Sequence, residues 1–208
     1  MTRFTRLALG GVAAVALLTS GAVVARTQAT QVPAEVRAGV YELDSEHGKI
    51  TWSVDHLGFS TYYGQFVNVQ ATLNLDPANP SNSSLTATIP LTDVAPNSDG
   101  LKAHLQTADF FDTANHPMAT FVSRSVTVDP EDANEATVVG DLTLRGVTRP
   151  VTMEVEFNKA GPSMGNVYKT GFDGKATIRR SEFGVNYAIP AVSDEVELHI
   201  AGEFVLQE

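Results

Sequence analysis

The stretch Asp55-His56-Leu57-Gly58-Phe59-Ser60-Thr61-Tyr62-Tyr63-Gly64-Gln65-Phe66 puts an acid, an imidazole and a hydroxyl close together. Those are the side-chain types of a nucleophilic hydrolase, but their order argues against one. Asp55 and His56 are adjacent, so in a strand they point to opposite faces and the acid cannot orient the ring. Ser60 lies outside any G-x-S-x-G elbow, and no helical pattern follows it. No catalytic residue is assigned. The five histidines, His47, His56, His104, His116 and His199, are scattered without H-x-x-x-H or H-E-x-x-H spacing. No metal ligand is assigned either, and no cofactor motif is present.

The elements that carry these residues read as strands. Ile50, Trp52, Val54 and His56 share a face opposite Thr51, Ser53 and Asp55. Val67, Val69, Ala71, Leu73 and Leu75 alternate with polar residues. Val151, Met153, Val155 and Phe157 do the same, as do Val196, Leu198, Ile200, Phe204 and Leu206. Further strands are predicted near Leu85–Leu91, Phe121–Val128, Thr137–Leu144 and Tyr168–Ile178. Turn-forming stretches separate them: DPANPSNSS, DPEDANE, LRGVTRP and KAGPSMGN. One apolar and one polar face per strand argues an antiparallel sheet curled on itself, not βαβ units. About eight strands suit an up-and-down barrel with room for a ligand, and an eight-stranded sandwich would give much the same pattern. One segment departs from the alternation. Ser98 is placed to cap a short helix in which Leu101, His104, Leu105 and Ala108 share a face, positioned to plug one barrel end.

The chain has 208 residues, no cysteine and a net charge of −10. Residues 1–25 read as a secretory signal peptide. Arg3 and Arg6 precede an apolar run from Leu7 to Ala25, and Val23-Val24-Ala25 is a small-residue cleavage site. An uncleaved anchor is the alternative, although the glycines, alanines, Thr19 and Ser20 make a weak membrane span. Residues 26–38 carry no apolar period and read as a flexible tether, leaving residues 39–208 as the folded domain. Loss of the two leader arginines takes the charge from −10 to −12. So acidic a surface repels phosphates, which excludes a nucleic-acid partner. Any contact with lipid must be local and apolar.

Four stretches then identify a family. YELDSEHGKITWSVDHLGFSTYYGQF, HLQTADFFDTANHPMATFVS, VVGDLTLRGVTRPVTMEVEF and IRRSEFGVN together resemble the YceI family of exported polyisoprenoid-binding proteins, over roughly residues 40–204. The resemblance implies an all-β, eight-stranded, antiparallel, lipocalin-like barrel with one short helix. It also implies an elongated pocket for a polyisoprenoid or other long-chain lipid, a periplasmic or secreted location, and binding without catalysis. The apolar pocket positions carried over are Trp52, Val54, Phe59, Phe66, Leu105, Phe110, Phe111, Phe121, Phe172, Phe183 and Ile189, with His104, Arg180 and Asn186 as head-group anchors at the mouth. Arg180 suits an anionic or carbonyl head because a guanidinium donates in a fork, and a structural ion pair with a carboxylate is the competing role. This chain departs from the family pattern at Gly48, Gln65 and Leu101-Lys102, where Ser, a basic residue and Arg-Asp are common. The reading allows transient membrane contact and a homodimer. A barrel filled by its own aromatics, serving as a stress-related interaction module, or an accessory to quinone redox chemistry, is the competing function.

Overall fold

The computed structural model describes residues 28–207, so the expected leader lies outside the described residues. In chain order the strands are β1 Gly39–Leu43, β2 Lys49–His56, β3 Ser60–Phe66, β4 Gln70–Leu75, β5 Ser84–Pro90, β6 Val94–Ala95, β7 Met118–Val128, β8 Glu135–Leu144, β9 Val147–Pro162, β10 Tyr168–Arg179 and β11 Glu195–Leu206. A single α-helix among the described residues, α1, spans Asp99–Leu105. All pairings between strands are antiparallel, in the order β1-β4-β5-β7-β8-β9-β10-β11, and β11 pairs back onto β1. Eight strands thus close a barrel, which abolishes the free edges that an open sheet would leave.

The closure is shared along β11. Its C-terminal residues Phe204–Leu206 pair with Leu43–Tyr41 of β1, while Glu197–Ala201 pair with Ser53–Lys49 of β2. β2, β3 and β6 therefore extend the wall at one end only. There α1 completes it. Ser98 caps the helix by accepting a hydrogen bond from Leu101 N at 3.2 Å, which satisfies one of the amides that a helix start leaves unpaired. The helix stops at Leu105, so Ala108 lies beyond it in a run of turns.

Turn chemistry sets the registers. At Leu144-Arg145-Gly146-Val147 both central residues have positive φ, 52° and 73°. That is the primed two-residue hairpin whose twist matches the strands it joins. Leu57 and Gly58, at 62° and 72°, make the same kind of reversal between β2 and β3, with Phe59 N donating to His56 O at 3.1 Å.

Two expectations are corrected. Residues 28–38 are not a loose tether. Thr30 exchanges two backbone hydrogen bonds with Ala160 at 2.7 and 2.9 Å, and Val36 is buried against Tyr41 and Phe157. The apolar residues of this segment are too few to show a period, yet they cover the barrel end. Val67 does not continue the β4 alternation either. Asn68 adopts φ 57° and bends the chain between β3 and β4, and the regular strand starts at Gln70.

Candidate functional site

The inward faces of the strands do not fill the barrel. Two cavities lie along its axis. The upper one, beneath α1, has a volume of about 450 Å³. The lower one, toward the β4–β5 and β7–β8 turns, has a volume of about 250 Å³. Ile50, Ile89, Leu142 and Leu198 line both, so the two adjoin across an apolar waist.

The upper cavity is built from Trp52 and Val54 of β2, Tyr62 and Phe66 of β3, Leu101, His104 and Leu105 of α1, and Phe110 and Phe111 just after it. Leu57, Tyr187, Ala188, Ala191 and Val192 form its rim. Two backbone contacts lock the β2–β3 tip to the 187–192 loop: Leu57 N donates to Ala191 O at 2.8 Å, and His56 bridges to Val192. His104 is wedged between rings, with its centroid 5.0 Å from Phe110 and 4.9 Å from Tyr187, both edge-on. Its Nε2 lies 3.0 Å from Asp109 Oδ2. The Trp52 Nε1–H, buried in the wall, has no acceptor among the described residues.

Arg180 lines this cavity at 6% exposure, but its guanidinium faces the chain itself. Nε donates to Ser193 O at 2.8 Å, one terminal nitrogen to Val185 O at 3.1 Å and Tyr187 O at 2.8 Å, and the other to Val192 O at 2.9 Å. Burial lowers its pKa and the nearby Asp194 partly offsets that. Burial acts to raise the pKa of Asp194, yet hydrogen bonds from Ser181 N and Oγ, both 2.8 Å, hold it below the ordinary carboxylate value. Of the two roles expected of Arg180, the ion pair is not formed among the described residues, and most of its donors are engaged with the chain itself. Its four hydrogen bonds staple the 185–193 loop through the carbonyls of that loop.

The lower cavity is lined by Leu73, Leu85, Phe121, Met153, Phe157, Phe172 and Phe204, with Pro33 and Val36 at its mouth. Lys49, Ser83, Ser84, Asn134 and Asp173 are its polar lining.

Of the residues expected from the sequence, Trp52, Val54, Phe66, His104, Leu105, Phe110, Phe111 and Arg180 meet in the upper cavity, and Phe121 and Phe172 in the lower. Four do not line either. Phe59 follows the left-handed pair at the hairpin tip, which swings its ring outward to 90% exposure. Phe183 is fully buried in the wall with Leu91, Leu144 and Val151. Asn186 is exposed and Ile189 half-buried, because the strapped loop turns Tyr187 and Ala188, between them, toward the cavity instead. Tyr62 and Tyr187 also line the upper cavity; they belong to the aromatics of the chain that together suit an elongated cavity, but not to the positions carried over from the resemblance. The parity of Tyr62, Gly64 and Phe66 in β3 is a signal that finds the first; Tyr187, in an irregular loop, is marked only by its aromatic ring.

Outside the interior, ligand atoms of Asp44, His47 and Glu203 lie within 4.8 Å of one another. A cation already sits there. Lys169 Nζ is 2.7 Å from Asp44 Oδ2 and 2.9 Å from Glu203 Oε2.

Fold and site together define a closed antiparallel barrel built around an elongated apolar interior. The model of the YceI-like domain matches residues 41–204, and the chain belongs to the YceI family. The protein YceI of Escherichia coli O6:H1 is 36% identical over 173 residues, covering 82% of this chain and 89% of the relative. Among solved structures, Burkholderia cenocepacia BcnA superposes with a TM-score of 0.69 at 26% identity, covering 79% of this chain and 99% of that one. A polyisoprenoid-binding domain from Saccharophagus degradans, implicated in plant cell wall breakdown, superposes at 0.61 and covers 82% of this chain and all of its own. At 12% identity that likeness concerns the fold.

Proposed function

We propose that this chain is an extracytoplasmic binding protein that sequesters or shuttles a long apolar lipid of polyisoprenoid type, such as a quinone or a polyprenyl phosphate. The observation that carries the reading is the elongated apolar interior, two cavities that adjoin across Ile50, Ile89, Leu142 and Leu198. A flexible chain of isoprene units is the ligand shape that such a space accepts. The Saccharophagus degradans barrel, described as polyisoprenoid-binding, supports the ligand class. The leader motif of residues 1–25 supports an exported, periplasmic or secreted location.

Burying one five-carbon isoprene unit contributes up to ~4 kcal/mol relative to water, at about 0.8 kcal/mol per methylene. Against a bilayer the net gain is close to zero, since the tail is already in an apolar medium. That balance suits reversible exchange. The exposed Phe59, together with Leu57 and Tyr187 at the upper rim, is the surface for transient contact with the membrane that holds the lipid. The role is binding, without catalysis. Mass spectrometry of an organic extract, from protein purified without detergent, is expected to show a long-chain isoprenoid. Absence of any such lipid, with no uptake of added quinone or polyprenol, overturns the reading.

A further inference from the structure

The two cavities differ in size, and the residues between them are of one kind. Ile50 of β2, Ile89 of β5, Leu142 of β8 and Leu198 of β11 line both. Four strands thus each contribute one aliphatic side chain to the waist. Ile50, Leu142 and Leu198 are only half-buried although they line the interior, so the waist keeps apolar surface on which a ligand can lie. Polar side chains stand on either side of it: His104 and Arg180 in the upper cavity, and Lys49, Ser83, Ser84, Asn134 and Asp173 in the lower. The four waist side chains carry no donor or acceptor. A polar head drawn between them leaves its hydrogen bonds unmade, which is costly, whereas a hydrocarbon tail meets no such cost.

An apolar cavity of about 150 Å³ accepts one benzene, six carbons, so a five-carbon isoprene unit needs on the order of 125 Å³. By that measure the upper cavity, about 450 Å³, takes about three to four units. The lower, about 250 Å³, takes about two. Against a bilayer, units held in the barrel are close to even, since both media are apolar. A tail too short to pass the waist leaves the lower cavity empty, and its lining forgoes the contacts a ligand supplies. A tail too long leaves units in water, and each should lower retention at least about tenfold.

Resting on the lipid-binding reading above, we infer that the barrel selects isoprenoids by tail length, with Ile50, Ile89, Leu142 and Leu198 as the checkpoint that the tail crosses and the head does not. The favoured tail has about five to six units, the combined capacity of the two cavities.

The test incubates the purified chain with zwitterionic phospholipid vesicles that carry an equimolar series of all-trans prenols of two to nine isoprene units. The protein is separated from the vesicles by flotation and extracted, and each prenol is quantified by mass spectrometry. Recovery is expected to peak at about five to six units and to fall at least about tenfold by nine. In Leu142→Trp, which narrows the waist, the peak should move to four units or fewer. Leu198→Phe narrows it from another strand and gives the same readout should the first variant fail to fold, which circular dichroism checks. A flat length profile in the parent, or a peak that stays in place in a folded waist variant, overturns the length selection and leaves the lipid-binding reading standing. Recovery of no prenol of any length overturns that reading, and the selection with it.

Discussion

Trp52 lies flat over Gly64, its direct cross-strand partner between β2 and β3. A methyl group at position 64 would overlap the benzo ring of the indole. The glycine is thus the space that lets the largest ring of the chain lie along the wall of the upper cavity instead of across it. Gly64→Ala is expected to push the indole into the cavity. Lipid affinity should fall by roughly tenfold, while stability falls by only about 1–3 kcal/mol, the range for overpacking. Near-ultraviolet circular dichroism and ligand titration check this. An unchanged tryptophan signal with unchanged affinity refutes it.

The four hydrogen bonds from Arg180 make a second prediction. Arg180→Met removes the charged donor and leaves the carbonyls of a half-buried loop without it. Each charge-assisted bond is worth ~1.5–3 kcal/mol, not additively, so a total loss of at least about 3 kcal/mol is expected in urea unfolding. Arg180→Lys recovers only part of this, because an ammonium is a point donor and cannot span the four acceptors. Had Arg180 served mainly as a head-group anchor, ligand affinity would fall in Arg180→Met while stability held.

The contrast between Trp52 and Arg180 explains what the sequence made legible. Period-two alternation placed Ile50, Trp52 and Val54 on the cavity face, and the β8–β9 turn was marked by Arg145-Gly146, because these features depend on neighbours in the chain. The helix was marked by Ser98 for the same reason. Arg180 depends on carbonyls five to thirteen residues away in a loop with no period, so its partners were invisible. The sharing of β11 between β1 and β2 was hidden too, since a five-residue strand is too short to declare its register. Phe59 holds a position in the family motif, which does not fix the direction of its ring; the left-handed pair before it does.

That outward ring yields the third prediction. Phe59→Ser removes an exposed apolar tip that touches neither cavity. Stability should change by no more than about 0.5 kcal/mol, and equilibrium affinity for a soluble short-chain isoprenoid should be unchanged. The rate of lipid uptake from zwitterionic vesicles should fall several-fold. Equal uptake rates would show that the tip does not mediate the contact.

Lys169 clasps Asp44 and Glu203 where β10, β11 and the turn after β1 close the barrel. The hydrogen bond from Lys169 is the main cause that holds the Asp44 carboxyl at about 2 rather than 3.8, with burial opposing and His47 adding to it. A carboxyl whose pKa is lower folded than unfolded stabilises the native state above its unfolded value. That contribution fades as pH falls toward the folded one. Lys169→Met is therefore expected to raise the Asp44 pKa toward 3.8 in an NMR titration. It should also cost more stability at neutral pH than under acid, the gap from the parent narrowing as pH falls from about 4 to about 2. The variant loses a bond that the parent itself surrenders once Asp44 is protonated. A gap that stays constant across that window would mean that the lysine acts through packing of its aliphatic stem, not through the carboxylate.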